Sequence, residues 1–275
     1  MGKELIIDQD PKSPIAEIFR TLRTNLQFMT SNQGLKTLLV TSSVPGEGKS
    51  WVSANLAVAF AGEGKKIALI DSDMRKGRLH TIFEIDKKPG LSNYLSGVSE
   101  VEDKEDLFSY FKKTNVEGLY VMPAGDVPPN PSELLVCDKM QELVEKLKNT
   151  FDMVIFDGTP VLLVTDSVIL SRQLDSSLIV TSYKSTKMGD VEKIKKMIEN
   201  VGGKIAGVVI NKIPVAAKKY ESTYYYGNHE ESNKSDNVDV DSISSQEENT
   251  NIEDEILKEI EEFDQKEEKK EEEND

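Results

Sequence analysis

Ser43-Val44-Pro45-Gly46-Glu47-Gly48-Lys49-Ser50 joins an apolar run at 37–40 to a helix-compatible run at 51–61. A strand, a loop that closes on Gly-Lys-Ser and a helix together make a phosphate cradle, because N–H groups of the loop and of the helix N-terminus point at anionic oxygens. In such a loop the lysine reaches the β- and γ-phosphates and the serine hydroxyl binds Mg²⁺. Ser43 replaces the first glycine of the usual pattern, so a turn that binds nothing is the alternative. We expect these eight residues, Trp51 and Asn211 to contact a bound nucleotide.

The net charge is distributed unevenly along the 275 residues. The formal charge is −15, and residues 227–275 alone hold 20 acidic and 5 basic residues, while residues 1–226 balance at 29 of each sign. The body therefore lacks the clustered basic surface of a nucleic-acid-binding protein. A single cysteine, Cys137, fits a reducing compartment. No apolar run approaches the roughly 20 residues that span a bilayer, so we expect a cytoplasmic protein that reaches a membrane only through a partner.

Short apolar runs alternate with helical patterns from residue 35 onward. The runs predict strands at 36–41, 66–70, 118–122, 152–156, 177–181 and 204–210, and the periodic segments predict helices at 48–62, 132–148 and 188–200. This alternation is typical of parallel strands joined by crossover helices. The sequence therefore predicts an α/β fold, a P-loop NTPase-like and mostly parallel sheet flanked by helices, followed by a disordered acidic C-terminal tail.

Three aspartates stand where predicted strands end. Asp71 and Asp73 follow the second strand, and Asp157 follows Met153-Val154-Ile155-Phe156 in the manner of a Walker B residue. The carboxyl ends of parallel strands are where α/β sheets bind ligands, and residues two apart in a strand point to the same side. Solvated carboxylates are the alternative for any one of them. We expect Lys49, Asp71 and Asp73 to be catalytic, and Ser50, Asp71 and Asp157 to hold Mg²⁺.

Two further clusters lie outside the predicted sheet. Glu17, Arg20 and Arg23, the assembly motif below, are spaced three apart on a helical segment that begins after Pro14. Their spacing alone indicates a solvated face with an i,i+3 ion pair. The second cluster, called the tyrosine cluster, holds half of the chain's eight tyrosines: Tyr220, Tyr224, Tyr225 and Tyr226.

Together these motifs resemble those of the bacterial tyrosine kinases of the capsule and exopolysaccharide type, in the soluble form without its own transmembrane part. Residues 42–50 resemble that family's Walker A motif, and Ile70-Asp71-Ser72-Asp73-Met74-Arg75 resembles its second acidic motif, Walker A′. Residues 156–161 resemble its Walker B motif, in which Gly158 is an insertion-like departure from Asp-Thr-Pro-Pro. The segment 123–135, the assembly motif and the tyrosine cluster also match. The likeness covers about residues 10–226.

The resemblance implies an ATP- and Mg²⁺-dependent protein-tyrosine autokinase that regulates polysaccharide synthesis and phosphorylates its tyrosine cluster in trans. It implies a homo-oligomeric ring that forms through the assembly motif, a transmembrane polysaccharide co-polymerase that activates the chain and recruits it to the membrane, and a cognate phosphotyrosine phosphatase. We place Asp71 near the metal and the acceptor hydroxyl. The domains expected are a helical arm with the assembly motif (1–34), a P-loop kinase domain (35–215), and the tyrosine cluster with the acidic tail (216–275).

Two other classes of protein are compatible with the phosphate loop. A partitioning or cell-division ATPase of the ParA/MinD type carries a second lysine at the position of Val44, and its membrane-binding form has a basic C-terminus. The acidic C-terminus here would be repelled by anionic lipid. A nucleotide-binding signalling scaffold with little catalysis is the third possibility, and the intact lysine and aspartates argue against it.

Overall fold

The computed structural model describes residues 4–98 and 106–214. Nearly all of these belong to one unit, which ends at Lys212. The tyrosine cluster and the acidic tail lie outside the described residues, and the division of the chain into three domains stays a prediction. Within the described residues, no helix combines the length and the apolar character needed to cross a bilayer.

Seven strands and nine α-helices form the described part of the chain. The strands are β1 (Thr37–Ser42), β2 (Ile67–Asp71), β3 (Lys112–Lys113), β4 (Leu119–Met122), β5 (Met153–Pro160), β6 (Ser176–Ser182) and β7 (Ile205–Asn211). The helices are α1 (Ile6–Gln9), α2 (Pro14–Gln33), α3 (Lys49–Ala61), α4 (Leu79–Ile82), α5 (Leu91–Ser96), α6 (Pro131–Val136), α7 (Asp138–Thr150), α8 (Asp166–Gln173) and α9 (Met188–Asn200), with a 3₁₀ turn at Leu107–Tyr110.

The strands form one sheet in the order β3-β4-β2-β5-β1-β6-β7. All neighbouring pairs are parallel except β3 and β4. The central strands are buried along their whole length, as expected for parallel strands covered on both faces. This confirms the predicted α/β class and places the ends of β1, β2 and β5 side by side at one edge.

Alternate residues of the central strands pack against different helices. Leu38 and Val40 of β1 share a core with α1, α2 and α3. Leu39, between them, belongs to a second core with α5, α6, α7 and α8. This alternation, which follows from the two-residue repeat of a strand, puts the phosphate-loop helix α3 on one face with α2 outside it.

Most predicted elements lie within a residue or two of the observed ones, but one predicted helix is divided, one strand is longer than predicted, and one helix was not predicted. The predicted helix 132–148 is two helices, because Cys137 adopts an extended conformation (φ −67°, ψ 154°) between α6 and α7. Strand β5 continues past the predicted end at 156 as far as Pro160. Helix α8 was not predicted, since eight residues are too few to show a clear helical repeat.

The continuation of β5 explains the departure at Gly158. Between Val40 and Ser42 the pairing slips, so that β5 carries one residue more than β1 in this bulge. A Cβ on Gly158 would lie 2.5 Å from Ser167 Oγ and 2.8 Å from Leu39 Cδ1. A side chain at position 158 would therefore require Ser167 and Leu39 to shift, and glycine avoids this at the bulge directly after Asp157.

Candidate active site

The phosphate loop runs from the end of β1 to the start of α3. It turns through two glycines in the left-handed region, Gly46 (φ 89°) and Gly48 (φ 97°). Gly48 is the N-cap of α3, so the first N–H groups of this helix have no intrahelical partner and face the loop opening. This backbone is compatible with the predicted cradle for phosphate oxygens, and binding of phosphate there stays a prediction.

Several of the predicted nucleotide contacts also have side chains that bond or pack within the protein. The Glu47 carboxylate turns back into the loop, where the N–H groups of Ser43 and Val44 donate to it. The Asn211 amide donates to the main-chain carbonyl of Glu47. The Trp51 ring packs edge-on against Phe19 of α2, with the ring centroids 5.2 Å apart. Contact with a nucleotide, through the main chain or a side chain, stays a prediction for all ten residues.

The catalytic candidates converge as predicted. Lys49 Nζ lies 3.3 Å from Asp73 Oδ2, 3.7 Å from Asp157 Oδ1 and 3.2 Å from Ser50 Oγ. Asp71 and Asp157 are paired residues of neighbouring strands, and both are fully buried. The structure therefore brings one ammonium group and three carboxylates together at the mouth of the phosphate loop.

The pKa values in this cluster follow from burial and mutual charge. Burial raises the pKa of Asp71 well above its ordinary value, and the Asp157 carboxylate raises it further. Burial also raises the pKa of Asp157, against the opposing effect of Lys49. Burial lowers the pKa of Lys49, but Asp157 and Asp73 outweigh it, so the net pKa is raised. Lys49 is thus a stable cation among the carboxylates of Asp71, Asp73 and Asp157.

Two carboxylate oxygens fit a bound metal ion. Within the described part of the chain, Asp71 Oδ1 and Asp157 Oδ2 are buried and have no hydrogen-bond partner, a costly state unless a ligand satisfies them. No group of three or more His, Cys, Asp and Glu side chains there could hold a metal ion by itself. Mg²⁺ is suited to this open arrangement, because it takes one or two carboxylates and completes its shell with phosphate oxygens and water.

An arginine–aspartate pair that was not predicted from the sequence lies beside the cluster. Arg75 Nε donates to Asp166 Oδ2 at 2.9 Å, and the Ser132 hydroxyl donates to Asp166 Oδ1 at 2.7 Å. Asp166 is fully buried at the start of α8, and its hydrogen bond raises the pKa of Arg75. The pair fixes the segment after Asp73 against the second face of the sheet. Arg75 and Ser132 lie in the matched motifs at 70–75 and 123–135, but Asp166 lies in neither, and it is 91 residues from Arg75 along the chain.

The assembly motif divides into an outer and an inner part. Arg20 pairs with Glu17 at 2.7 Å on the partly exposed side of α2. Arg23 points inward, where its guanidinium donates to Ala59 O at 3.0 Å and pairs with Glu63 at 3.0 Å. Arg23 thus binds the C-terminal end of the phosphate-loop helix, where a cation is favourable. Subunit contact through these three residues stays a prediction.

Comparisons with known proteins show the family to which the chain belongs. The family model of the CobQ/CobB/MinD/ParA nucleotide binding domain matches residues 38–262. The putative tyrosine-protein kinase CapB of Staphylococcus aureus is 37% identical over 222 residues, which are 81% of this chain and 94% of CapB. The tyrosine-protein kinase YwqD of Bacillus subtilis is 37% identical over 227 residues, 82% of this chain and 92% of that protein.

Solved structures separate the kinase from the cell-division interpretation. The kinase domain of Escherichia coli tyrosine kinase ETK is 33% identical, with a TM-score of 0.72 over 77% of this chain and 81% of that one. The cell-division ATPase MinD of Pyrococcus furiosus is 25% identical, with a TM-score of 0.53 over 68% of this chain and 79% of that one. The likeness to MinD is therefore a distant relationship of fold. The chain belongs to the bacterial tyrosine-protein kinases, within the family of CobQ/CobB/MinD/ParA nucleotide-binding domains.

Proposed function

We propose that this chain is a protein-tyrosine autokinase that uses Mg²⁺ and ATP, phosphorylates its own tyrosine cluster in trans, and regulates capsular or exopolysaccharide synthesis. The observation that carries the proposal is the position of Lys49 between Asp73 and Asp157, beside two buried carboxylate oxygens without partners. This arrangement occurs in a chain that matches tyrosine-protein kinases over most of its length.

Phosphoryl transfer depends mainly on positioning and charge. In the proposed reaction, the loop N–H groups and Lys49 would hold the β- and γ-phosphates, and Ser50, Asp71 and Asp157 would hold Mg²⁺, which would supply positive charge to the phosphate oxygens. The tyrosine oxygen bonds to the γ-phosphorus as the bond from that phosphorus to the β–γ bridging oxygen breaks, and ADP leaves. Asp71 accepts the phenolic proton.

The partners of the kinase belong to the same proposal. The half-exposed Glu17–Arg20 pair is available to a neighbouring subunit in a ring, which would bring one subunit's tyrosine cluster to another's active site. A transmembrane polysaccharide co-polymerase would bind the nucleotide domain, recruit the chain to the membrane and raise its activity. A phosphotyrosine phosphatase would reset the tyrosine cluster.

Mass spectrometry of the chain after incubation with Mg²⁺ and ATP tests the reaction. We expect phosphate on the tyrosine cluster. Hydrolysis of ATP without phosphotyrosine would favour the partitioning ATPase, and nucleotide binding with neither product would favour the scaffold.

Mixing two variants tests transfer in trans. Lys49→Met keeps the acceptor tyrosines, whereas a chain with the tyrosine cluster changed to Phe keeps the active site. Each alone should remain unphosphorylated on the cluster, and the mixture should place phosphate on the Lys49→Met chain. A mixture as unreactive as its parts would contradict transfer between subunits.

A further inference from the structure

The Glu47 side chain is buried inside the phosphate loop, with 3% of the residue exposed. Its Oε2 accepts the N–H groups of Ser43 at 2.7 Å and Val44 at 2.9 Å, and its Oε1 accepts the Ser43 hydroxyl at 2.6 Å. The Thr186 hydroxyl, from the turn between β6 and α9, donates to the same Oε1. Four donors thus converge on one carboxylate, and hydrogen bonds to a charged acceptor are the strong ones.

The main chain of Glu47 is held from another direction. Asn211 Nδ2, at the end of β7, donates to Glu47 O at 2.8 Å, and Asn211 Oδ1 accepts the N–H of Lys212 at 2.8 Å. The Thr186 hydroxyl oxygen also accepts the N–H of Ser182 at 2.8 Å. The loop, the turn after β6 and the end of β7 therefore meet at a single residue.

We propose that Glu47 is a positioning residue of the kinase, and that Thr186 and Asn211 act through it. Its carboxylate binds the N–H groups of the first half of the loop and fixes that half to β6 and β7. The second half, with the N-terminus of α3, is then held open toward the phosphates without contributing a charge to them. Such preorganisation removes part of the ordering cost of nucleotide binding.

Nucleotide affinity tests this role independently of kinase activity. Glu47→Gln keeps the shape of the side chain but sets an amide N–H₂ against N–H donors, so we expect the calorimetric Kd for ADP with Mg²⁺ to rise about 10- to 100-fold. Thr186→Val removes one donor and should raise Kd about 3- to 10-fold. Thr186→Ser restores the hydroxyl and should bind ADP as the parent chain does.

Kinetics distinguish positioning from general loss of structure. In Glu47→Gln, KM for ATP should rise with the Kd, while kcat at saturating ATP should stay within about threefold, because Glu47 does not contact the transferred group. In the double variant, the fold-increase in the Kd for ADP should be smaller than the product of the fold-increases in Glu47→Gln and Thr186→Val, because both changes act on the hydrogen bonds of the same side chain.

Parental ADP affinity in Glu47→Gln would overturn the inference, and so would equal damage from Thr186→Ser and Thr186→Val. The kinetic part rests on the proposed function. If the variants show the expected ADP affinities but the parent chain forms no phosphotyrosine, the kinase proposal fails and the positioning role of Glu47 stands.

Discussion

Gly48→Ala should damage the phosphate loop in two separable ways. An L-residue in the left-handed region costs about 1–2 kcal/mol, and Gly48 has φ 97°. A Cβ there would also lie 2.1 Å from Asn211 Nδ2, so the amide must move and release Glu47 O, which costs about 0.5–1.5 kcal/mol. The free energy of unfolding should therefore fall by about 1.5–3.5 kcal/mol.

Gly46→Ala is the matched control. Gly46 has a similar φ of 89°, but a Cβ there would meet nothing within 4 Å, so only the conformational cost of about 1–2 kcal/mol applies. Urea unfolding followed by circular dichroism, without nucleotide, measures both variants. In an Asn211→Ala background, the cost of Gly48→Ala should fall to that of Gly46→Ala. Equal losses in the two single variants, or an unchanged Gly48→Ala cost in that background, would refute the reasoning.

Other parts of the chain give three further predictions. Asp175→Asn should lower the free energy of unfolding by about 1–3 kcal/mol at pH 7, because the carboxylate accepts the N–H groups of Lys36 and Thr37 and the ammonium of Lys148. Burial raises the pKa of Asp175, but the hydrogen bonds from these partners outweigh it, so the net pKa is lowered. The stabilisation is therefore present above about pH 4 and is lost as the pH falls through the depressed pKa. Equal urea midpoints of the parent and Asp175→Asn at pH 7 would contradict this prediction. Changing the assembly motif to Ala should shift the light-scattering mass of the unphosphorylated chain from a ring to a monomer, whereas an unchanged mass would indicate a solvated face. Changing the tyrosine cluster to Phe should keep the ring intact in the presence of ATP, and peptide mapping of the parent that finds phosphate mainly on tyrosines of the nucleotide-binding unit would argue against the cluster.

The fold and the centre of the site were predictable because their signals are local. The runs that form β1, β2 and β5 are apolar and short, and each is followed within a few residues by a polar group. The parallel arrangement then requires Lys49, Asp71 and Asp157 to meet at one edge. The break between α6 and α7 was harder to predict. The extended conformation of Cys137 lies inside a helical pattern, and it depends on how the two helices pack rather than on composition.

Side-chain direction was the part that sequence could not supply. Glu47 receives its hydrogen bond from Thr186 across 139 residues, and Asn211 reaches Glu47 across 164. The sequence placed Glu47 in the phosphate loop, but it did not show that its carboxylate accepts the N–H groups of Ser43 and Val44. In the same way, the sequence did not show that the ring of Trp51, on α3, packs against Phe19 of α2.

Phosphotyrosine formation by Lys49→Met, compared with the parent chain, tests the central claim most directly. Lys49 is the cation that the three aspartates surround, and its loss leaves charge on the transferred phosphoryl group without its partner. With equal protein, Mg²⁺ and ATP, we predict that phosphotyrosine falls to background in the variant while circular dichroism shows the parental fold. Undiminished phosphotyrosine in a folded Lys49→Met chain would contradict the assignment of kinase chemistry to this site.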